Sequence, residues 1–207
     1  MIISEFDGII ESVIYIVFCF MICWVLLLCT FNRFLCRKIL HFFMSNWWFI
    51  RLKYIMNHWL ILGPLMFVLI NGIYSYRRDG KNIGMPLFAA TLSIFTFITA
   101  IDEKLILPST IAILVLGYAD SGAALAGRKY QEINNLKYGK SLVGSAVFFL
   151  ITLTTVTVIL SVYHIEICIG KIICFSLLLS FLENKIFPKY DNFIIPLFAF
   201  LAFYKFY

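Results

Sequence analysis

Long hydrophobic stretches recur along the whole chain and alternate with short polar segments. A helix that spans a bilayer needs about 20 predominantly apolar residues. Stretches of this length, or close to it, lie at 9–31, 54–75, 84–101, 105–126, 142–163, 166–182 and 192–206. The pattern predicts an all-α protein, a polytopic transmembrane helical bundle with seven or eight membrane segments that form a single domain over residues 1–207.

One apolar segment, ILHFFMSNWWFI at 39–50, is only twelve residues long. A helix of that length rises about 18 Å, against a hydrocarbon core of about 30 Å. It is either an interfacial helix or a short, irregular crossing. If it does not cross, lysine and arginine divide nine to eight between the two sides; if it does, twelve of the 17 lie on one side. The positive-inside rule favours the crossing, which gives eight segments with both termini outside.

Composition leaves almost no room for a soluble domain, because 62% of the 207 residues are hydrophobic. Residues 1–11 carry Glu5, Asp7 and Glu11, which is not the basic start of a signal peptide. The six cysteines lie in or beside apolar stretches without a CxxC pair, which indicates membrane-buried side chains rather than disulfides or zinc ligands. The net charge of +6 indicates loops that face anionic lipid and cytosol more than nucleic acid.

The stretch YADSGAALAGRKY at 118–130 places a carboxylate at the end of an apolar helix. On insertion scales a carboxylate at bilayer depth costs about 2.5–3.5 kcal/mol. Asp120, Ala123, Ala124 and Gly127 share one helical face, and small residues permit close helix packing. Packing does not explain Asp120. Since Arg128 and Lys129 follow, we predict a metal–phosphate site in which Asp120 binds Mg²⁺.

The stretch YGKSLVGS at 138–145 begins another apolar segment. It is not a P-loop, because Asn134 stands where the Walker pattern needs glycine and no strand precedes it. Lys140 and Ser141 stand at the predicted helix start, and Gly144 and Ser145 share a face with Ser141. Two interpretations remain open: a phosphate cradle at a helix N-terminus, or a helix cap with a snorkelling lysine.

Three further polar clusters flank the predicted segments on the same side of the membrane. They are RKILH at 37–41, YRRDGKNIGMP at 76–86 and the carboxylate-containing stretch at 183–192. Singly, each is also explained by a basic flank, a solvated loop or a helix cap. Together they contribute Arg37, Lys38, His41, Arg77, Lys81, Glu183, Asp191 and Asn192 as candidate site residues.

In their order along the chain, these motifs resemble those of the phytol kinase, dolichol kinase and CTP-dependent diacylglycerol kinase family. The matching stretches are RKxxH, RRxxKxxG, the Asp120 stretch ending in GRKY, KSxxGS, and a glutamate followed by DNxxIP, over about residues 37–197. The family phosphorylates lipid alcohols with CTP. One departure is Gln131, which stands where the family usually has glycine after GRKY.

The resemblance implies a role for each candidate residue. Asp120 would bind Mg²⁺, and Glu183, Asp191 and Asn192 would complete the metal site or activate the alcohol. The nucleotide would bind to Arg128, Lys129, Lys140, Ser141, Gly144, Ser145, Arg77 and Lys81, with Arg37, Lys38 and His41 as second-tier candidates. The expected partners are CTP, membrane lipids and a prenol, polyprenol, phytol or diacylglycerol, but no nucleic acid. The active face would be cytosolic, in the cell membrane of a prokaryote or the ER membrane of a eukaryote.

Two alternatives remain. Phosphatidate cytidylyltransferases are similar around DSGAALAGRKY and KSLVGS, but they normally end in a His-Gly-Gly and Asp-Arg signature where this chain has ENKIFPKYDNFIIP. Such an enzyme would make a CDP-lipid and release pyrophosphate. A non-enzymatic transporter would use the carboxylates as an ion path, although transporters usually place charges in mid-span and these lie at span ends.

Overall fold

The computed structural model describes residues 2–30, 33–54, 57–78, 83–166, 168–185 and 190–206, and within these ranges it contains helices and no strand. The all-α prediction is therefore confirmed. The α-helices are α1 (Ile2–Thr30), α2 (Arg33–Lys53), α3 (Leu62–Arg78), α4 (Gly84–Ile101), α5 (Ile106–Val115), α6 (Ser121–Ile133), α7 (Leu142–Val162), α8 (Ile169–Lys185) and α9 (Asp191–Phe206).

Three helical stretches in the described part of the chain are long and apolar enough to cross a membrane. They are Gly84–Ile101, Glu103–Ile133 and Leu142–Val162. The first and third agree with the predicted segments at 84–101 and 142–163, and the second contains the predicted segment at 105–126 and extends beyond it. The other predicted segments, 9–31, 54–75, 166–182 and 192–206, fall on α1, α3, α8 and α9. The described parts of 9–31, 166–182 and 192–206 are mainly α-helical, whereas in the described part of 54–75 the helix begins only at His58, with a 3-10 turn (His58–Ile61) that leads into α3. None of the four is among the three, so their crossing stays a prediction.

The stretch Glu103–Ile133 is the central helix of the molecule. Every residue from 107 to 117 is buried. Between α5 and α6 the chain forms a π-helical turn at Leu116–Asp120. Such turns insert an extra residue into a helix and occur frequently at functional sites. The turn ends at Asp120, so the buried carboxylate lies where α-helical geometry resumes.

α2 lies antiparallel to this central helix. Near the start of α2, the Lys38 carbonyl accepts a hydrogen bond of 2.9 Å from the Ser121 hydroxyl. Near its end, the Trp48 indole N–H donates to the Thr110 hydroxyl at 2.8 Å. The two helices therefore remain in contact over about ten residues of each.

The prediction that 39–50 forms a short segment of its own is wrong. The segment is the middle of α2, which has 21 residues and is about 32 Å long at 1.5 Å per residue. The apolar pattern underestimated the helix because charged residues occupy its first turns and its end, namely Arg33, Arg37, Lys38, Arg51 and Lys53. Buried Trp47 and Trp48 show that its middle belongs to the core.

The remaining helices surround this pair. α1 packs against α2, α7 packs between α6 and α8, and α9 packs against α4 and α5. Consecutive antiparallel helices bring alternate ends together. The starts of α2, α4, α7 and α9 consequently meet the ends of α6 and α8 at one end of the bundle, and there they enclose a cavity.

Candidate functional site

The cavity has a volume of about 380 Å³, and most of the predicted site residues line it. They come from RKILH, YADSGAALAGRKY, KSLVGS and the 183–192 stretch. The predicted residues that line it are Arg37, Lys38, His41, Asp120, Arg128, Lys140, Ser141, Gly144, Glu183, Asp191 and Asn192. Motifs that are far apart in the sequence thus meet in one place.

Four predicted residues are not brought to the described cavity wall. Lys129 is exposed on α6. The Ser145 hydroxyl accepts a hydrogen bond of 2.8 Å from Asn184 and so joins α7 to α8. Arg77 lies in the last turn of α3, but its side chain falls outside the described part of the structure, as does the whole of Lys81.

Asp120 is only 3% exposed, and its charge is balanced by a lysine from α2. The Lys38 ammonium lies 2.5 Å from the Asp120 carboxylate. His41 Nδ1 lies 3.9 Å from the same carboxylate oxygen. Breaking a buried ion pair by removing one partner typically costs about 3–5 kcal/mol. Lys38 therefore explains how the fold tolerates Asp120 at this depth.

A second ion pair lies across the cavity. The Lys140 ammonium forms a salt bridge with buried Glu183 and lies 3.8 Å from the Asp191 carboxylate. The adjacent Ser141 is the N-cap of α7, since its hydroxyl accepts a hydrogen bond of 3.0 Å from the Gly144 N–H. Ser141 is thus a helix cap, whereas Lys140 turns inward to the carboxylates and does not snorkel outward.

The small residues bring α6 and α7 close together. A Cβ atom added to Gly144 would lie 3.1 Å from the Ala123 carbonyl oxygen and 3.7 Å from the Gly127 Cα. Close packing therefore explains these glycines, because small residues let helices approach closely at interfaces in membranes. This close approach places Lys140 beside the end of the central helix.

Asn192 is held in one orientation and presents an oxygen without a partner. Its side-chain N–H donates to the Gly84 backbone carbonyl at 2.9 Å, and the backbone carbonyl of Asn192 accepts from the Thr91 hydroxyl at 2.9 Å. Its Oδ1 is buried without a hydrogen bond to any described residue. A buried polar atom left unsatisfied costs about 1–3 kcal/mol. Asn192 also lines the cavity, so this oxygen is a candidate ligand atom there.

His41 presents a second such atom. Its Nε2 lies 2.9 Å from the Met85 sulfur, and its ring stacks on Phe88 with centroids 4.5 Å apart. Within the described structure its Nδ1, which faces Asp120 at 3.9 Å, has no hydrogen bond. Arg37 also lines the cavity and pairs with none of the described carboxylates. Arg37 is therefore the group available to an anionic ligand, whereas the Nδ1 of a neutral His41 can only accept a hydrogen bond, because Nε2 must donate to the Met85 sulfur.

Sequence reasoning missed several residues of the cavity wall, namely Phe34, Gly84, Met85, Gln131, Tyr138 and Gly139. Gln131 was noted only as a departure from the family pattern, yet it is buried and organises the loop that follows α6. Its side chain donates to the Gly139 carbonyl at 2.9 Å and accepts from the Gly139 N–H at 3.2 Å. The sequence signal that could have identified Gln131 was an unexpected polar residue beside an irregular loop.

The donor set would suit a magnesium ion that takes most of its ligands from water or from a substrate. Among the described residues, no group of three or more His, Cys, Asp or Glu side chains forms a metal cage. Magnesium usually takes one or two carboxylates and completes its shell with water and substrate phosphates. Asp120 and Asp191 both line the cavity, and Asn192, which follows Asp191, adds a side-chain amide.

Comparison of the chain with protein-family models, with curated proteins and with solved structures finds no match. The chemistry of the cavity is therefore the basis for inferring a function.

Proposed function

We propose that the chain is a CTP-dependent kinase that transfers a γ-phosphoryl group to a membrane-embedded lipid alcohol. One observation carries the proposal: the described wall of a single cavity holds four cations and three carboxylates, which are Arg37, Lys38, Arg128, Lys140, Asp120, Glu183 and Asp191. Phosphoryl transfer depends on positioning and charge neutralisation more than on covalent help from the protein.

The two internal ion pairs suit a site that binds a triphosphate with a divalent cation. When the nucleotide enters, Lys38 and Lys140 turn their ammonium groups from Asp120 and Glu183 to phosphate oxygens. Asp120 and Asp191, with the Asn192 oxygen, would hold Mg²⁺, which offsets charge on the transferring phosphoryl group. Arg37 contacts phosphate without leaving a carboxylate partner.

The same rearrangement frees a carboxylate to act as the general base for the alcohol. Glu183 loses its lysine partner as Lys140 binds phosphate, and its carboxylate accepts the proton of the lipid hydroxyl. The alcohol oxygen forms a bond to the γ-phosphorus, the bond to the β–γ bridging oxygen breaks, and CDP leaves. The acceptor is a prenol, polyprenol, phytol or diacylglycerol.

We place the cavity at the cytosolic surface of a membrane that the chain crosses eight times. The support is the contact of α2 with the central helix near both of its ends. If Glu103–Ile133 crosses, α2 crosses beside it, and twelve of the 17 lysine and arginine residues then lie on the cavity side. The membrane is the cell membrane in a prokaryote or the ER membrane in a eukaryote.

A product assay tests the proposal. Purified protein in lipid nanodiscs is supplied with Mg²⁺, CTP and a panel of lipid alcohols, and the nucleotide products are separated. CDP together with a phosphorylated lipid supports the kinase. Pyrophosphate together with a CDP-lipid, when phosphatidate is the lipid, would identify a cytidylyltransferase. CTP that stays intact with every lipid would favour the transporter alternative.

A further inference from the structure

We infer that Tyr138 and Phe34 form a nucleobase-binding subsite at the mouth of the cavity. The inference rests on the proposed function, because it requires a nucleotide. It adds the place where the nucleobase lies, and it assigns a role to two residues that were not among the predicted site residues.

The subsite is an aromatic stack around Arg128. The guanidinium carbon of Arg128 lies 4.6 Å from the ring centroid of Phe34 and 5.0 Å from that of Tyr138. Its Nε donates to Glu132 at 2.9 Å, which holds the guanidinium in place. Tyr138 nevertheless remains 66% exposed, so its ring offers surface on which a planar ligand can stack.

The loop that carries Tyr138 is built to hold it. Gln131 makes two hydrogen bonds to the backbone of Gly139, the residue next to Tyr138. The Leu136 N–H donates to the Gln131 carbonyl at 2.9 Å, and Asn135 adopts a left-handed conformation with φ of 51°. These contacts fix an exposed aromatic ring at the edge of a charged cavity.

The order of aromatic and cationic side chains along the wall matches the order of base and phosphates in a nucleotide. Phe34 precedes Arg37 by one helical turn on α2, and Tyr138 precedes Lys140 by two residues. Each aromatic ring at the mouth is thus followed by a cation that lines the cavity. If the phosphates bind to these cations, the nucleobase lies against the aromatic rings. Stacking of a base on an aromatic side chain contributes about 1–3 kcal/mol and tolerates any base.

An exposed tyrosine near a membrane surface can also be an interfacial anchor. Tyr130 provides a matched control for that role. It lies on α6, beside the same loop, and is 41% exposed, but it does not line the cavity. An anchoring role would give the two tyrosines similar effects on nucleotide binding, whereas a base subsite would not.

The test compares the affinities of CTP and of inorganic tripolyphosphate, both with Mg²⁺, for the full chain and for Tyr138→Ala, Tyr138→Phe and Tyr130→Ala. Tyr138→Ala should weaken CTP binding by about 5- to 150-fold, which is the stacking free energy converted at 1.4 kcal/mol per tenfold. It should leave tripolyphosphate binding unchanged. Tyr138→Phe keeps the ring and should bind CTP like the unmodified protein, as should Tyr130→Ala.

Two results would overturn the subsite while the proposed function stands. One is Tyr138→Ala binding CTP as the unmodified protein does. The other is an equal loss for CTP and tripolyphosphate, since Tyr138 would then act on the phosphate groups through Arg128. If the unmodified protein binds neither ligand, the subsite and the proposed function both fail.

Discussion

At the scale of single residues, Asp120 is buried either to balance the charge of Lys38 or to take part in the reaction. Its ion pair with Lys38 shows how the fold accommodates the charge, but it does not explain why the charge is there. Replacing a buried ion pair by well-packed hydrophobic residues of similar volume often leaves stability unchanged or raises it. A pair with no other purpose would therefore be a poor choice for this position.

The double variant Lys38→Gln/Asp120→Asn separates the two reasons. Asp120→Asn alone should insert correctly, lose turnover and show lowered thermal stability, because Lys38 keeps a buried charge without its partner. The second substitution should restore the melting temperature measured in detergent but not the turnover. Restored turnover in the double variant would mean that Asp120 serves only to balance Lys38.

Lys140 leads to a prediction about binding. Lys140→Ala should weaken nucleotide binding by about 10- to 150-fold, since a hydrogen bond to a charged group contributes about 1.5–3 kcal/mol, and it should leave lipid binding unchanged. Equilibrium binding of CTP measures this. Lys129→Ala is the control, because Lys129 is exposed and does not line the cavity. Equal effects of the two substitutions would point to a general effect of surface charge.

At the scale of helices, the sequence predicted best where apolar stretches have polar flanks. The predicted segment 84–101 coincides with α4, and 142–163 nearly coincides with α7. α2 was missed as a full-length helix because its charges lie inside its first turns, where Lys38 is neutralised by a residue 82 positions away. A local hydrophobicity pattern contains no information about a partner so distant.

The close contact of α6 with α7 also leads to a prediction. Gly144→Leu should destabilise the protein by about 1–3 kcal/mol, the usual cost of overpacking, because even a Cβ there meets the Ala123 carbonyl at 3.1 Å. Thermal unfolding in detergent measures the change. Gly72→Leu is the matched control, since no atom of the described part of the structure lies within 4 Å of a Cβ at Gly72. A melting temperature unchanged by Gly144→Leu would show that α6 and α7 are not in close contact.

At the scale of the whole molecule, the sequence grouped the site residues by motif, but it did not predict how they pair. Glu183 and Lys140 are 43 positions apart, and their pairing depends on how α8 packs on α7. The Gln131 contacts were also missed, because they depend on the path of an irregular loop. The motifs thus predicted most of the cavity wall, and tertiary packing decided its internal contacts.

Topology gives a prediction at this scale. On a background with the six native cysteines replaced, single cysteines at the exposed positions Lys53 and Lys137 should react with an impermeant maleimide from opposite sides of sealed vesicles. Lys137 should be the cytosolic one. Lys53 lies at the end of α2, so labelling of both from one side would show that α2 does not cross.

The central claim is that this cavity transfers a γ-phosphoryl group to a lipid alcohol. The most direct measurement follows radiolabel from CTP carrying ³²P at either the α or the γ position into the lipid fraction, for the unmodified protein and for correctly inserted Asp120→Asn. We predict that only the γ label enters the lipid and that Asp120→Asn transfers none. Transfer of the α label, or γ transfer by Asp120→Asn at the rate of the unmodified protein, would contradict the claim.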